Sequence, residues 1–561
     1  MTMPEVADVD DDQGVAPRRP FNLGWRDLVA FFALLAFAST IRATGFTRFD
    51  LWYDDAWSAS PAKASFSQAL HMGVAAPGYS LLQRSWIRLD PNSTSWAQVP
   101  AFVFGIVGIL AIFALVRMLR FSRFMTYLTT GLVVVSPIAV TYSTRVKEYA
   151  ADFILGCLLL VLAERVRRAP TRRTLTQLGI VTVLCVACSL STVIVAAAIW
   201  SVVLFIAYAE ETTRRLCLVA TGVVAAISGA VVLTASRAIP HVLNVNWRRR
   251  GFLVDYRTFH GFRHTVLQIF SGLGHGLLGI PTYLSSGTTL QNLSTVALAV
   301  AIFLALAFGA FWTVRSTLAT RMVHPALAAG LTLFFASLAA FADRIPLGDG
   351  RTDEVLFPAL LVLIASALTA MLRRGRERWK MVPRSIHRIL LATALLLGIS
   401  GIGFGVTHEA RYPTISLRSV LPKIDRANQR AGVDRNYAGI VVDGFNNFGW
   451  GYYGITPIEL SFAKSGRYTW PQGFHFASND PNVVLAPNAA WHGEFSAFSA
   501  SHHLLWYVGF TSGTFNPTIK NPWLAIQTPT ALELKREGWV QSSVVQVSLH
   551  CYAALLRHSA R

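Results

Sequence analysis

The chain has 561 residues, of which 53% are hydrophobic and only 14% carry a charge. This composition excludes an ordinary soluble protein, in which about a quarter of the residues are charged. The formal net charge of +20 comes mostly from arginines that flank apolar runs. It therefore indicates membrane topology, and it is weak support for nucleic-acid binding.

The first 26 residues are acidic and polar, then mildly basic, and they are predicted to form a disordered cytoplasmic tail. Apolar runs then recur and predict about eleven transmembrane helices, the shorter runs being extended by their flanks. A polytopic all-α membrane bundle follows, because lipid cannot satisfy open backbone groups. The runs are Leu28–Ile41, Val99–Val116, Thr126–Val140, Phe153–Ala163, Leu175–Leu190, Val193–Tyr208, Leu216–Leu233, Leu293–Thr313, Ala326–Ala342, Leu356–Met371 and Ile389–Val406.

Arginines decide the predicted orientation. They crowd alternate loops, at 117–123, 165–173, 214–215, 315–321 and 373–380. Because Lys and Arg are in excess on cytoplasmic loops, these loops and the N-terminus are expected inside a plasma membrane. The outward-facing segments are then 46–95, 141–149, 237–290, 343–355 and the C-terminal region.

The membrane composition ends near residue 407, so the chain divides into a tail (1–26), a membrane domain (27–407) and an extracytoplasmic domain (408–561). In the last of these, 437–443 and 482–487 are predicted strands, and Leu417–Arg430 and Leu532–Arg536 are predicted helices. Strands that alternate with helices indicate a small α/β domain. Its aromatic segment 444–454 suits either a sugar face or, more simply, a packed core or inter-domain contact.

In the first outer loop, the stretch "LWYDDAWS" places Asp54 and Asp55 among Trp52, Tyr53 and Trp57. A carboxylate beside another carboxylate and apolar surface has a raised pKa, which makes it a better general base. Taken alone, the pair fits better with two solvated acids in an aromatic belt at the membrane interface.

A second polar cluster, "STRVKEYAAD", opens the fourth span at residues 143–152 and contains Arg145, Lys147, Glu148, Tyr149 and Asp152. A helix over this stretch would place all of them except Lys147 on one face. Asp152 would lie at or just inside the membrane, where an ionisable group indicates function. The alternative is an Arg145–Glu148 pair that reaches outward to water.

Two further outer segments are rich in arginine. In "PLGDGRTDEVLFP", Gly348 and Gly350 permit a tight turn around Arg351, whose guanidinium suits a phosphate. An ordinary turn between helices is the alternative. The arginines and histidines of 236–281 oppose the positive-inside rule, and most of them are interpreted as interfacial helices on anionic headgroups.

These stretches resemble motifs of the GT-C class of integral-membrane glycosyltransferases. "LWYDDAWS" resembles the acid pair of the first outer loop, and "AAPGYSLLQRSW" (75–86) resembles the Pro-containing stretch of that loop. "STRVKEYAAD" resembles the motif that opens the fourth span, and "PLGDGRTDEVLFPALLVL" resembles a later Gly-Arg link. The order of the motifs, over roughly residues 25–410, is the specific signal. The class includes protein O-mannosyltransferases, aminoarabinose transferases of lipid A, and arabinosyl- and mannosyltransferases of cell envelopes.

The resemblance implies an inverting transfer of a sugar from a polyprenyl-phosphate donor, on the outer face, to an envelope glycan, lipid or protein. It implies that Asp54 is the base that takes the acceptor proton, with Asp55 beside it. Arg145, Lys147 and Arg351 would supply positive charge to the leaving phosphate.

It also implies that Glu148, Tyr149 and Asp152 position the acceptor or a metal. Asp55 and Asp152 would either hold a divalent ion such as Mg²⁺ or Mn²⁺ or position the acceptor, and no spacing demands a metal. The expected partners are the lipid-linked sugar donor, an envelope glycan or glycolipid acceptor and membrane lipids, with no nucleic acid.

Two other functions fit the same composition. A lipid or sugar transporter or flippase would carry broken helices and mid-membrane charges, often in repeated halves. The charges of this chain lie at the ends of spans, and no repeat is visible in it. An O-antigen-type ligase would share the lipid donor, but it would not need an acid pair directly after the first span.

Overall fold

A computed structural model describes most of the chain. The described residues are 24–47, 49–72, 75–209, 211–236, 307–317, 324–342, 345, 354–379, 415–433, 438–462, 474–485, 494–510, 528–548, 551–559 and isolated positions between 258 and 304. Arg351, the apolar run Ile389–Val406, and most of segment 236–281 and of the run Leu293–Thr313 lie outside the described residues.

The chain up to residue 379 is mainly helical, as its composition predicts. Its helices are α1 (Trp25–Ala43), α2 (Tyr53–Ala59), α3 (Phe66–His71), α4 (Pro77–Ile87), α5 (Thr94–Met118), α6 (Arg123–Val135), α7 (Pro137–Tyr142), α8 (Tyr149–Arg168), α9 (Arg172–Cys188), α10 (Thr192–Ala209), α11 (Glu211–Ser236), α12 (Leu327–Phe341) and α13 (Phe357–Trp379). In the described part, three helices are long and apolar enough to cross a membrane, over Thr94–Met118, Thr213–Thr234 and Glu354–Leu372. The total of about eleven spans stays a prediction.

Helices α5 and α8 pack against each other in the main apolar core. Ile109 and Ile112 of α5 and Leu159 of α8 are fully buried there. Higher up α5, Gly105 lies where any Cβ would collide with the side chain of Ser143. The glycine therefore lets α5 approach the turn between α7 and α8.

The break between α6 and α7 has a chemical cause. Pro137 has no N–H, and a proline ring clashes with the carbonyl four residues earlier, so the Val133 carbonyl loses its helical partner. Arg42, fully buried at the end of α1, donates to the carbonyls of Val133 and Val134 at 3.0 Å each. Its Nε also donates to Ser143 Oγ at 3.0 Å. Arg42 thereby fixes the end of α1 against the turn that precedes α8.

The C-terminal part is an α/β domain, as predicted. Its elements are α14 (Val420–Ala431), β1 (Ala438–Val442), α15 (Gly444–Tyr453), β2 (Ile458–Phe462), β3 (Phe474–Ser478), β4 (Val483–Leu485), α16 (Glu494–Ser501), β5 (Leu504–Phe510), α17 (Pro529–Arg536), β6 (Trp539–Gln546) and β7 (Cys551–His558). The main sheet has the order β4–β1–β5–β7–β6. Strand β1 is parallel to β4 and β5, whereas β7 is antiparallel to β5 and β6, and β2 pairs separately with β3.

This domain packs directly on the loop that follows α1. One apolar cluster joins Leu51 and Ala56 of the loop to Phe448 and Trp450 of α15. Phe448 and Trp450 have no exposed surface. The aromatic segment 444–454 therefore contributes to a packed apolar core that also includes residues of the 46–95 loop.

Candidate functional site

The predicted acid pair lies in the first turn of the short helix α2, whose N-cap is Trp52. Acidic side chains are favoured there by the partial positive charge of a helix N-terminus. Successive helical residues point about 100° apart, so Asp54 and Asp55 face different surroundings. Asp55 is buried, whereas Asp54 is partly exposed.

Asp55 anchors α2 to the turn that precedes α8. Its Oδ2 accepts a hydrogen bond from Arg145 Nη1 at 2.8 Å, and its Oδ1 accepts one from the Val146 backbone N–H at 2.6 Å. Both oxygens of this buried carboxylate are thus already engaged. Burial raises the pKa of Asp55 above its usual value, and Arg145, Lys147 and the Val146 N–H oppose that rise.

Aromatic rings of α2 and its N-cap hold the two cations of the turn. The Arg145 guanidinium carbon lies 5.6 Å from the centroid of the Trp52 ring, and Lys147 Nζ lies 4.4 Å from that of Trp57. Both distances are within the range of cation–π attraction. The tryptophans of the predicted aromatic belt therefore position positive charge beside the acid pair.

The turn around Lys147 is also held from α4. Tyr79 is buried, and its hydroxyl donates to the Lys147 carbonyl oxygen at 2.5 Å. Gln83 Nε2 in turn donates to the Tyr79 hydroxyl at 2.7 Å. The Pro-containing stretch 75–86 thus supports the same site as the acid pair.

The helical face predicted over residues 145–152 is wrong in its first half. Helix α8 begins at Tyr149, and the preceding residues form a turn. The reason is that Asp55 and Tyr79 take backbone groups of this turn that a helix would have paired internally. Tyr149 itself packs edge-on against Tyr142, with ring centroids 4.8 Å apart.

Burial and the charge of Asp152 raise the pKa of Glu148 to about 8, while Lys147 opposes the rise. The shift favours the protonated form of this carboxyl. A protonated carboxyl donates a hydrogen bond, which suits positioning of an acceptor oxygen.

Asp152 lies deeper, in the first turn of α8, and is buried. Its Oδ2 accepts from Ser191 Oγ at 3.0 Å, whereas its Oδ1 has no hydrogen-bond partner within the described residues. Glu354, also buried, interacts electrostatically with Asp152 and Arg42. Glu354 and Arg42 were not among the site residues predicted from the sequence. Each is an ionisable residue at the end of an apolar run, which was an available signal of function: Arg42 follows Leu28–Ile41, and Glu354 precedes Leu356–Met371.

The described residues do not complete a metal site. Both oxygens of Asp55 are engaged by Arg145 and Val146. No group of three His, Cys, Asp or Glu side chains in the described part has an arrangement that could hold a metal ion. A divalent cation at Asp55 and Asp152 stays a prediction without a third ligand among these residues, and Arg351 lies outside them.

The C-terminal domain contacts the residues that directly precede α2 and its acid pair. Asp50 is buried and accepts from Arg418 Nε at 2.5 Å and from the Arg418 backbone N–H at 2.9 Å. The Leu51 N–H donates to the Tyr453 hydroxyl at 2.8 Å, and the Arg418 guanidinium lies 4.6 Å from the centroid of the Tyr453 ring. These contacts end directly before Trp52, the N-cap of α2. Nothing in the sequence indicated Arg418.

Two solved structures of ArnT from Cupriavidus metallidurans are similar to this chain. The apo structure has 12% sequence identity and a TM-score of 0.49, and the structure bound to undecaprenyl phosphate has 14% identity and a TM-score of 0.47. Each alignment covers 94% of this chain and 97% of the ArnT chain. Both TM-scores lie below 0.5, so the similarity concerns the general course of the chain and not its activity.

No family model matches the sequence, and no curated protein matches it.

Proposed function

We propose that the protein is an inverting membrane glycosyltransferase that moves a sugar from a polyprenyl-phosphate donor to an envelope glycan, lipid or protein at the outer face of the membrane. The observation that carries the proposal is the anchoring of α2 by Asp55. That anchor holds α2, and with it the partly exposed carboxylate of Asp54, against the turn that carries Arg145 and Lys147.

The proposed step uses these charges in order. The acceptor hydroxyl attacks the anomeric carbon and forms the new C–O bond, while its proton passes to the Asp54 carboxylate. The bond from the anomeric carbon to the phosphate oxygen breaks on the opposite face, and its electron pair leaves with the lipid phosphate. Positioned acid–base groups contribute typically 10²–10⁴-fold in rate.

The leaving phosphate needs positive charge more than it needs an acid. Arg145 and Lys147 are held on aromatic rings in a largely buried setting, where electrostatic interactions are stronger than in water. Arg351 joins them in this proposal, as the guanidinium of a later outer link. Glu148, Tyr149 and Asp152 are assigned to the acceptor side.

The test is transfer by the purified, reconstituted protein from a panel of radiolabelled polyprenyl-phosphate sugars, including mannosyl and arabinosyl donors, to envelope extracts. Asp54→Asn keeps the shape of the side chain but removes the base, so transfer should fall at least 10²-fold. Its matched control is Asp90→Asn, the same change at an exposed position of the same loop.

Full transfer by Asp54→Asn would reject the acid–base role. Transfer by none of the donors, with transbilayer movement of lipid-linked sugar instead, would support a flippase. An EDTA arm tests the cation: loss of transfer that Mg²⁺ or Mn²⁺ restores would support a divalent ion in the reaction.

A further inference from the structure

A second polar site lies at the far end of α8 from Asp152. It is an open cavity of about 170 Å³, lined by Leu119, Arg120, Glu164, Arg167, Arg168 and Pro325; we term it the basic cavity. Helix α8 has 20 residues, which corresponds to a length of about 30 Å. The two sites lie toward opposite ends of this helix, and their nearest residues on it, Asp152 and Glu164, are about 18 Å apart along its axis.

A buried carboxylate arranges two of the three arginines. Glu164 accepts from Arg167 Nε at 2.6 Å and Nη2 at 2.9 Å, and from Arg168 Nε at 2.6 Å. Arg168 Nη2 also donates to the Met118 carbonyl at the end of α5. Since one carboxylate balances one of these two guanidinium charges, the wall of the basic cavity keeps a net positive charge in a fixed geometry.

Arg120 adds a third cation in an unusual backbone conformation. Its φ is 57°, and it is the one non-glycine residue with positive φ in the described part of the chain. The left-handed region disfavours any residue with a Cβ and suits glycine. This conformation ends helix α5, because the Arg120 N–H donates to the Arg117 carbonyl and the Phe121 N–H to the Val116 carbonyl. The Arg120 side chain lines the basic cavity.

The surroundings of the basic cavity are amphipathic. An apolar crevice borders it and shares Leu119, Glu164, Arg167 and Pro325 with it, continuing along Leu115 and Leu160 of the membrane helices. The crevice itself holds only about 10 Å³ of free volume, so an acyl chain would lie along the helix surface and not inside it. Clustered guanidinium groups above apolar helices match a ligand with an anionic head and an apolar tail.

We propose that the basic cavity binds the phosphate head of an anionic membrane phospholipid. Guanidinium groups pair with phosphate oxygens in bidentate geometry, and basic pockets between transmembrane helices suit anionic headgroups. The general arginine excess of a cytoplasmic face explains the charge, but it does not explain the cavity or the buried Glu164 that fixes two of its arginines. The site is independent of the proposed sugar transfer.

Native mass spectrometry of the full-length protein in detergent tests this proposal, with titrations of phosphatidylglycerol, phosphatidylcholine and inorganic phosphate. Arg120→Gly removes the guanidinium and places the residue that best tolerates φ of 57°, so its melting temperature should equal or exceed that of the wild type. We expect about tenfold weaker binding of phosphatidylglycerol, the effect of losing one hydrogen bond to a charged group. The matched control is Arg172→Ala, which removes one charge from an exposed residue nearby in the chain that does not line the basic cavity.

Three outcomes would overturn the proposal. Equal loss of affinity in Arg120→Gly and Arg172→Ala would indicate diffuse charge attraction. If Arg120→Gly binds phosphatidylglycerol with unchanged affinity, the basic cavity is not the lipid-binding site. Binding of inorganic phosphate or phosphatidylcholine as tight as that of phosphatidylglycerol would assign the cavity to a ligand other than an anionic lipid.

Discussion

The contact between Asp50 and Arg418 predicts that the C-terminal domain positions the acid pair. The Asp50 side chain is 2% exposed and accepts hydrogen bonds from the Arg418 Nε and from the Arg418 backbone N–H. Arg418→Ala would leave this carboxylate with backbone N–H donors of residues 417 and 418 but without a cation. Breaking a fully buried ion pair costs about 3–5 kcal/mol, but the Arg418 side chain is 46% exposed. Water can therefore replace part of the contact, and we expect a loss of about 1–3 kcal/mol.

The loss of this contact should reach the chemistry because residues 50 and 51 lead directly into the N-cap of α2. Looser placement of Asp54 should lower the catalytic rate constant for transfer more than it raises KM for the lipid donor. Arg418→Lys keeps a charge but loses the forked geometry, so it should fall between the wild type and Arg418→Ala.

The assay combines melting temperature in detergent with initial transfer rates over a range of donor concentrations. Arg536→Ala is the matched control, since Arg536 is 71% exposed and pairs with Glu533 within one surface helix. Such exposed pairs contribute about 0–1 kcal/mol. If Arg418→Ala keeps both the melting temperature and the rate of the control, the domain does not position the acids through this contact.

Two further predictions concern the turn before α8. Arg145→Ala removes the ion-pair partner of the Asp55 carboxylate, which is 1% exposed. We expect the variant to be about 3–5 kcal/mol less stable and Arg145→Lys to recover part of the loss. An unchanged melting temperature would contradict the anchoring role of Asp55. Glu148 has a folded-state pKa raised from 4.5 to about 8, so its stabilising contribution is fully present below about pH 4.5 and is lost as the pH rises through about 8. The melting temperature of the wild type should therefore fall over this range more than that of Glu148→Gln, and parallel curves would reject the shift.

The apolar runs predicted most of the helices, because a helix in lipid needs a continuous apolar surface and this surface comes from consecutive residues in the sequence. The acid pair and the cations of residues 145–147 were assigned to one site from motif order, and the structure places one of each, Asp55 and Arg145, in an ion pair. Helix start points were harder to predict. Nothing local shows that Asp55 takes the Val146 N–H, and this contact helps to delay the start of α8 until Tyr149.

Contacts between distant segments left no local pattern. Asp50 and Arg418 are 368 positions apart, and Arg42 and Val133 are 91 apart. Each pairing depends on three-dimensional packing, and no regular spacing in a single sequence indicates it. The role of Arg42 was still partly open to inference, since an arginine at the end of an apolar run needs acceptors and Pro137 frees one.

The contacts also separate the two neighbouring acids. A general base needs an oxygen that an acceptor hydroxyl can reach, whereas Asp55 is buried and both of its oxygens accept N–H groups. Asp54, on the next face of the same turn, is partly exposed. Asp54→Asn should therefore lower transfer without changing the melting temperature.

Asp55→Asn should instead lower the melting temperature, by about 1–3 kcal/mol in stability, because Arg145 loses its charged partner. The transfer rate of Asp55→Asn should fall only as far as the variant loses folded protein and the fixed position of α2. A normal melting temperature with no transfer would give Asp55 the role of the base. In that case Asp54 would be a solvated neighbour. The contacts argue against this outcome, because an anchor that also accepts the proton would have to break its own ion pair with Arg145 in every cycle.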